Sequence, residues 1–472
     1  AALAAGVVAS MLATTDLHGR VLAVDAAGVT SHRVVPLAHC PVCGGAAALA
    51  DSAVTSDPAQ PLAGWVDALT GVIPGLMLEP GRDRPPYLAR AASPRIVRAD
   101  GSVHRLGAGW GKGMTPRHAA LSALGETIER YSASLPDPAR VRWRRADELD
   151  GDRIDPRLLA RYADEQYERD GFPYVRYDPA ALHPWVRGRW LGSGADVWVP
   201  AIAVFMSLTI GPENHICQAT SNGLAAAPDL GDAALRATLE LVERDAAMAA
   251  WLTGAAARRV VLDGSLDPAM AGVVGDLEAR GCAVEAYLLP DAACGAAAIC
   301  LGLGDGRTWP GVALGMAADL DPARAVRQAI LELAQTGPYL ARELRAGTMR
   351  VPAGPQGVVE MRDHAAYYLP AERATAFDRL RASGESVAYG SLTAATERSL
   401  AACADGLAAA GVRVAIVDVT SRDVATGPFR VARAVSPDLQ PLSYDHGCEQ
   451  SPVPRIRERA LAAGPAPIHP IS

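Results

Sequence analysis

Three stretches of the chain place apolar residues at helical spacing, and each carries the same polar pattern on another face. In TPRHAALSALGETIERY (115–131), Leu121, Leu124 and Ile128 form the apolar face. Ser122, Glu126 and Glu129 fall at i, i+4 and i+7 and share a second face. Thr115 predicts the helix cap and Pro116 the first turn, where a missing N–H costs nothing. In DLGDAALRATLELVERDAAMAAWL (229–252) the stripe is Leu235, Leu239, Val242 and Ala246, and Arg236, Glu240 and Glu243 repeat the polar spacing. In DPARAVRQAILELAQT (321–336), Asp321 and Pro322 repeat the start signal, and Gln328, Glu332 and Gln335 repeat the triplet.

Shorter apolar runs predict strands. VLAVDAAGV (21–29) reads as a strand and turn, and VTSHRVVPL (29–37) as a second strand. RIVRAD and SVHRL (95–100 and 102–106) predict a hairpin around Asp100-Gly101. Between 140 and 215, stretches such as WRRADEL and VWVPAIAVFMSL read as strands and short helices. GVRVAIVDVTSRDV (411–424) predicts a buried strand ending in polar turn residues, and FRVARAVSPDLQPLSY (429–444) another with its exit turn. DHAAYYLPAERATAFDRL reads as a loop and helix, and the final PAPIHPIS is too rich in proline to be helical. Residues 1–13 predict an Ala-rich helix, and 46–95, rich in Ala, Pro and Gly, a connector with short strands. Helices and strands so mixed predict an α/β (α+β) fold.

Composition narrows the class. Half of the 472 residues are hydrophobic and 21% are charged, which fits a globular chain with a substantial core. Aromatics at 5% leave that core to Ala, Leu and Val. A formal charge of −7 and the lack of a basic run with interleaved aromatics argue against nucleic acid as a partner. No apolar run reaches membrane-spanning length. The opening AALAAGVVASML is apolar, but no positive segment precedes it and no Met begins it, so the chain reads as trimmed or cut from something longer. Eight cysteines of mostly irregular spacing fit a reduced, cytoplasmic protein.

The chemistry lies in three places. Glutamates at i and i+3 on one helix face are either solvated or neutralised by something positive, and a divalent cation serves that purpose. One such face is ordinary; three with one spacing favour convergence on a shared charged site. GAGWGKGM (107–114) has the glycines of a phosphate-cradling loop and Lys112, but not the spacing of a Walker loop. In HCPVCGG (39–45), Cys40 and Cys43 have the spacing of a zinc knuckle, although they supply only two of four ligands. A zinc half-site, inert thiols and a redox pair all remain open for them.

GKGMTPRHAALSALGETIERY, QATSNGLAAAPDLGDAALRATLELVERDA, ARAVRQAILELAQ and VAIVDVTSRD, in this order, closely resemble the YcaO family. That family contains the ATP-dependent enzymes of thiazole/oxazole-modified peptide biosynthesis. The resemblance implies a YcaO domain over 95–472, with helices and mixed sheets converging on a central ATP site. Residues 1–55 resemble the trailing end of a ThiF-type leader-peptide-binding domain, and 56–94 would connect the two. The second Cys-x-x-Cys pair of that zinc site would then lie upstream or on a partner chain. Carried over by resemblance, Glu126, Glu129, Glu240, Glu243 and Glu332 would hold Mg2+ bridging the phosphates of ATP. Lys112, Ser122, Asn222, Arg244, Arg327, Gln328 and Gln335 would complete the nucleotide site. Family members usually carry Arg where Gln328 stands, with Arg327 beside it here. Azoline-forming members end in a Pro-x-Pro-x-Pro-like tail; this chain keeps His469 and Pro470, which are the catalytic candidates, and loses the outer prolines. The implied reaction is cyclodehydration of Cys, Ser or Thr in a ribosomally made precursor peptide. Its alternatives are backbone thioamidation or a non-catalytic leader-binding subunit. The implied partners are the precursor peptide, a ThiF-type protein or domain, and a second copy in a homodimer.

Overall fold

A computed structural model describes residues 20–25, 28–35, 37, 65–97, 103–395 and 397–471. The predicted helix over 1–13, the Cys40–Cys43 pair and most of the ThiF-like segment lie outside the described residues.

The architecture is mixed α/β. Three strand–helix units build its centre: β1 (Gly109–Gly113) with α1 (Pro116–Ala133), β2 (Leu224–Ala227) with α2 (Leu230–Thr253), and β3 (Val312–Asp319) with α3 (Pro322–Ala346). Each helix packs on its own strand and also on a neighbour's: α1 on β2, α2 on β3, and α3 on β1. The units therefore close a ring. Each strand belongs to a different sheet. β1 lies at one edge of a three-stranded antiparallel sheet with strands 76–78 and 87–91. β2 edges a seven-stranded sheet and pairs with β4 (Arg430–Val435), whose other neighbour is strand 415–418. β3 edges a five-stranded sheet and pairs with strand 296–303.

The caps predicted from sequence form as read. Thr115 Oγ1 accepts from His118 N, and Asp321 Oδ1 accepts from Ala323 N and Arg324 N. Asp229 caps α2 in the same way, accepting from Asp232 N at 2.8 Å. The strands read within 21–29 and 29–37 pair antiparallel as 20–25 with 28–33, and the hairpin read over 95–100 and 102–106 pairs 95–97 with 103–105. Strands 76–78 and 87–91 come from the stretch read as a connector, and there Trp65 and Ile73 join the core beneath α1.

Close approach of helix to strand explains two glycines. A Cβ on Gly109 would lie 2.1 Å from Thr127 Oγ1 and 2.3 Å from Ala123 O. One on Gly315 would lie 2.2 Å from Leu333 N and 2.3 Å from Ala329 O. Only a residue without Cβ lets α1 and α3 lie this near their strands.

Two further helices complete the site. α4 (Met361–Tyr367) carries buried His364, and α5 (Pro454–Ala463) leads into the C-terminal segment. α5 is fixed to α2 by Arg455 and Asp245, the latter 0% exposed and also accepting from Gln440 N at 2.8 Å. Among the described residues no helix is long and apolar enough to cross a membrane.

Candidate nucleotide and metal site

Each of the three helices presents one glutamate eleven positions after its cap: 115 to 126, 229 to 240, and 321 to 332. Three turns along a helix, that glutamate turns back to a backbone N–H of its own strand or of the residue just before it. Glu126 Oε2 accepts from Trp110 N at 2.6 Å, Glu240 Oε2 from Gly223 N at 3.1 Å, and Glu332 Oε2 from Met316 N at 3.3 Å. The repeated polar triplet of the sequence is thus one local structure used three times, and the ring turns all three copies toward one place.

Few cations stand against these carboxyls. Arg130 pairs with Glu126 at 2.5 Å. Arg244 lies 3.1 Å from Glu243 and 3.7 Å from Glu240, so it serves both glutamates of its own helix. Lys112, on β1, reaches Glu332 at 3.5 Å across the α3–β1 contact. Burial raises the proton affinity of Glu126, which Arg130 partly offsets. Burial lifts Glu129 well above the usual carboxylate range, and the charges of Glu240 and Glu126 add to it. Glu240 is also raised by burial, against the pull of Arg244. Burial pushes Glu243 up to about 7, with Arg244 opposing and Glu332 and Glu240 reinforcing. Four buried carboxyls thus share a site in which their charge is disfavoured, with Glu332 beside them. Divalent cations fit such a donor set, because oxygen ligands from separate elements suit Mg2+ together with phosphate oxygens. Among the described residues no three His, Cys, Asp or Glu side chains already stand at ligating distance; the carboxyls instead hold arginine, lysine or backbone N–H groups.

The other candidates divide. Asn222 is buried beside the cluster, its Oδ1 accepting from Tyr444 Oη at 3.3 Å, and it lines a cavity of about 100 Å³ with Cys217, Thr220, Arg244, Arg433 and Gln440. Gln335 is half-buried, while Ser122 and Gln328 are exposed on their helices. Arg327 pairs with Asp267, the cap of helix 268–278, which takes up its charge. Pro470 borders a second cavity of about 30 Å³ with Glu332, Arg244 and Thr336. His469 is enclosed. Its ring stacks on His364 with centroids 3.9 Å apart, and burial, then the charge of His364, lowers it to about 3.

Reasoning from sequence missed Arg433. It is 6% exposed on β4, donates to Thr220 O at 2.7 Å, and lines the cavity with Arg244. Burial lowers it to about 10, with Glu240 and Glu129 partly compensating. Its signal was an arginine flanked by alanines inside RVARAV, a run otherwise suited to a buried strand. His364 and Tyr444 were missed too, because no local pattern marks them.

The YcaO sequence profile, described as a YcaO cyclodehydratase, ATP- and Mg2+-binding, matches residues 110–440. Among curated proteins none matches. Among solved structures, a heterocyclase in complex with substrate and cofactor is similar over 92% of this chain, at 19% identity and a TM-score of 0.74. The chain spans 62% of the length of that heterocyclase. YcaO from Methanopyrus kandleri, bound with AMPPCP and Mg2+, is similar over 78% of this chain and 86% of its own, at 22% identity and a TM-score of 0.56. A chain of the E. coli microcin synthetase McbBCD complex with pro-MccB17 bound is similar over 79% of this chain and 90% of its own, at 14% identity and a TM-score of 0.57. At these identities the structures speak for the fold alone, and the profile covers most of the chain, glutamates included: the protein belongs to the YcaO family.

Proposed function

We propose that this chain is an ATP-dependent cyclodehydratase that forms thiazoline or oxazoline rings from Cys, Ser or Thr of a ribosomally made precursor peptide. The observation that carries the reading is the ring of three strand–helix units, each turning one glutamate toward a shared, charge-burdened site. Family membership supplies the reaction class, and the similarity to a heterocyclase and to a microcin synthetase supports a peptide as substrate. When bound, ATP supplies the phosphoryl group that makes the peptide amide oxygen a leaving group, and Mg2+ offsets the charge on the phosphates.

The chain's own part is placement and neutralisation. Glu126, Glu129, Glu240, Glu243 and Glu332 would hold Mg2+ between them. Arg244 and Lys112 already stand among these carboxyls and would turn to phosphate oxygens, for which their charge-assisted donors are suited. Arg433, which donates to Thr220 O, supplies a second guanidinium at the cavity wall. Asn222 would contribute its amide to the nucleotide. The reacting domain is residues 95–472. A ThiF-type domain, upstream or on a partner chain, would engage the leader peptide, and Cys40 and Cys43 would give that domain half of a zinc site.

The test is the mass of the neighbouring precursor peptide after incubation with the protein, ATP, Mg2+ and a ThiF-type partner. Loss of one water per modified residue is expected. Exchange of oxygen for sulfur with a sulfide donor would replace the reading by thioamidation, and an unchanged mass would overturn it.

A further inference from the structure

The C-terminal segment returns from α5 to the glutamate ring, and side chains grip it by its backbone. Trp251 Nε1 donates to Pro467 O at 2.8 Å, and Tyr368 Oη donates to Ile468 O. His364 Nδ1 lies 2.8 Å from His469 O. His469 Nε2 lies 2.7 Å from Ser443 O. Beyond these contacts Pro470 and Ile471 reach the small cavity they share with Glu332 and Arg244. Ile471 is 3% exposed, so this stretch is a packed part of the site.

His364 is the joint of this arrangement. Its side chain is buried on α4, and its other nitrogen, Nε2, lies 2.7 Å from Tyr444 O. Both contacts are to carbonyl oxygens, which only accept. The imidazole donates to these carbonyls through whichever ring nitrogen carries hydrogen. One side chain thereby bridges two segments that are distant in sequence. Tyr444 belongs to the segment whose hydroxyl donates to Asn222 at the nucleotide cavity, and His469 belongs to the tail. The stacked His469 ring fits the same picture. With its Nε2 hydrogen directed to Ser443 O and its basicity lowered to about 3, it is a neutral plate against the donor ring.

We propose that His364 is the positioning residue of the C-terminal tail, setting where Pro470 and Ile471 stop against Glu332 and Arg244. The proposal rests on the cyclodehydratase reading only for its effect on turnover. The lever is short: losing the ring nitrogens frees the tail from its attachment one residue before Pro470.

The test uses the whole chain and three variants. His364→Phe keeps a planar ring and removes both ring nitrogens; His364→Gln retains an amide that can donate two hydrogens; P470G/I471G loosens the tail directly. For His364→Phe, kcat for peptide modification is expected to fall at least tenfold, with the KM for ATP within twofold and amide exchange at 468, 469 and 471 faster. His364→Gln is expected to recover part of the kcat. Combined with P470G/I471G, His364→Phe is expected to add little further loss, because both act through the tail. An equal fold-loss from His364→Phe in both backgrounds, or unchanged tail exchange, would overturn the proposal. Should His364→Phe fail to fold, the exchange and kcat of His364→Gln decide, intermediate values supporting the proposal and wild-type values refuting it. If wild-type protein leaves peptide mass unchanged, the function reading fails, and tail exchange still decides the role of His364.

Discussion

Glu243→Gln isolates the charge burden of the site. Glu243 is 9% exposed, and burial and its neighbours raise its carboxyl from 4.5 to about 7. That rise corresponds to about 3 kcal/mol of unfavourable ionisation in the folded protein. The folded state holds this proton more tightly than the unfolded chain does. Stability from this group therefore falls as pH rises from 4.5 to 7, and the full penalty is present above 7. Glutamine keeps the shape and an oxygen for Arg244, now 3.1 Å from the carboxylate, and removes the charge. Unfolding entropy of about 2 cal/mol/K per residue gives roughly 1 kcal/mol per degree for a chain of this length, so Tm at pH 8 should rise by roughly 3 °C. At pH 5 the carboxyl is already largely protonated, and the two Tm values should converge. Calorimetry without added metal or nucleotide measures both. Mg2+ with a nonhydrolysable ATP analogue should stabilise wild type at pH 8 and the variant much less, and the variant should lose turnover. A variant less stable than wild type at pH 8, or a Tm difference that does not shrink toward pH 5, would refute the argument from buried charge.

Other substitutions probe the frame that holds the cluster. Gly315→Ala forces a Cβ to 2.2 Å from Leu333 N, so α3 must move off β3; overpacking of this kind costs about 1–3 kcal/mol, seen as a lower denaturation midpoint with ATP affinity reduced alongside. Arg455→Ala leaves Asp245, which is 0% exposed, without its cation. A loss of about 3–5 kcal/mol is expected in chemical denaturation, and Asp245→Asn in the same background should recover part of it, because the stranded charge is then removed.

Much of this protein was legible in its sequence. The helix caps at Thr115 and Asp321, the apolar stripes and the glutamate spacing are local properties. A side chain that satisfies a nearby N–H, or a residue one turn along a face, is specified within a few positions of the chain. The triplets at 126, 240 and 332 could therefore be read as helix faces, and their repetition as a shared site. Where they meet was not local. Only the ring of contacts, α1 on β2, α2 on β3 and α3 on β1, brings glutamates from three separate helices together. Lys112 faces Glu332 through it, 220 positions away in a chain that gives no hint of the pairing.

The same limit explains the residues that sequence misplaced or passed over. Arg327 and Gln328 are neighbours in sequence, yet a helix turns consecutive residues about 100° apart, and packing against Asp267 decides which way Arg327 faces. Arg433 looked like one arginine among forty-five basic residues until β4 paired with β2 and buried it beside Asn222. His364 gained its two carbonyl partners from segments 80 and 105 positions away. Sequence by itself determined the elements, their ends and the chemistry each face could offer. The tertiary structure decided which charges would be left facing one another, because burial and proximity are properties of the packed chain.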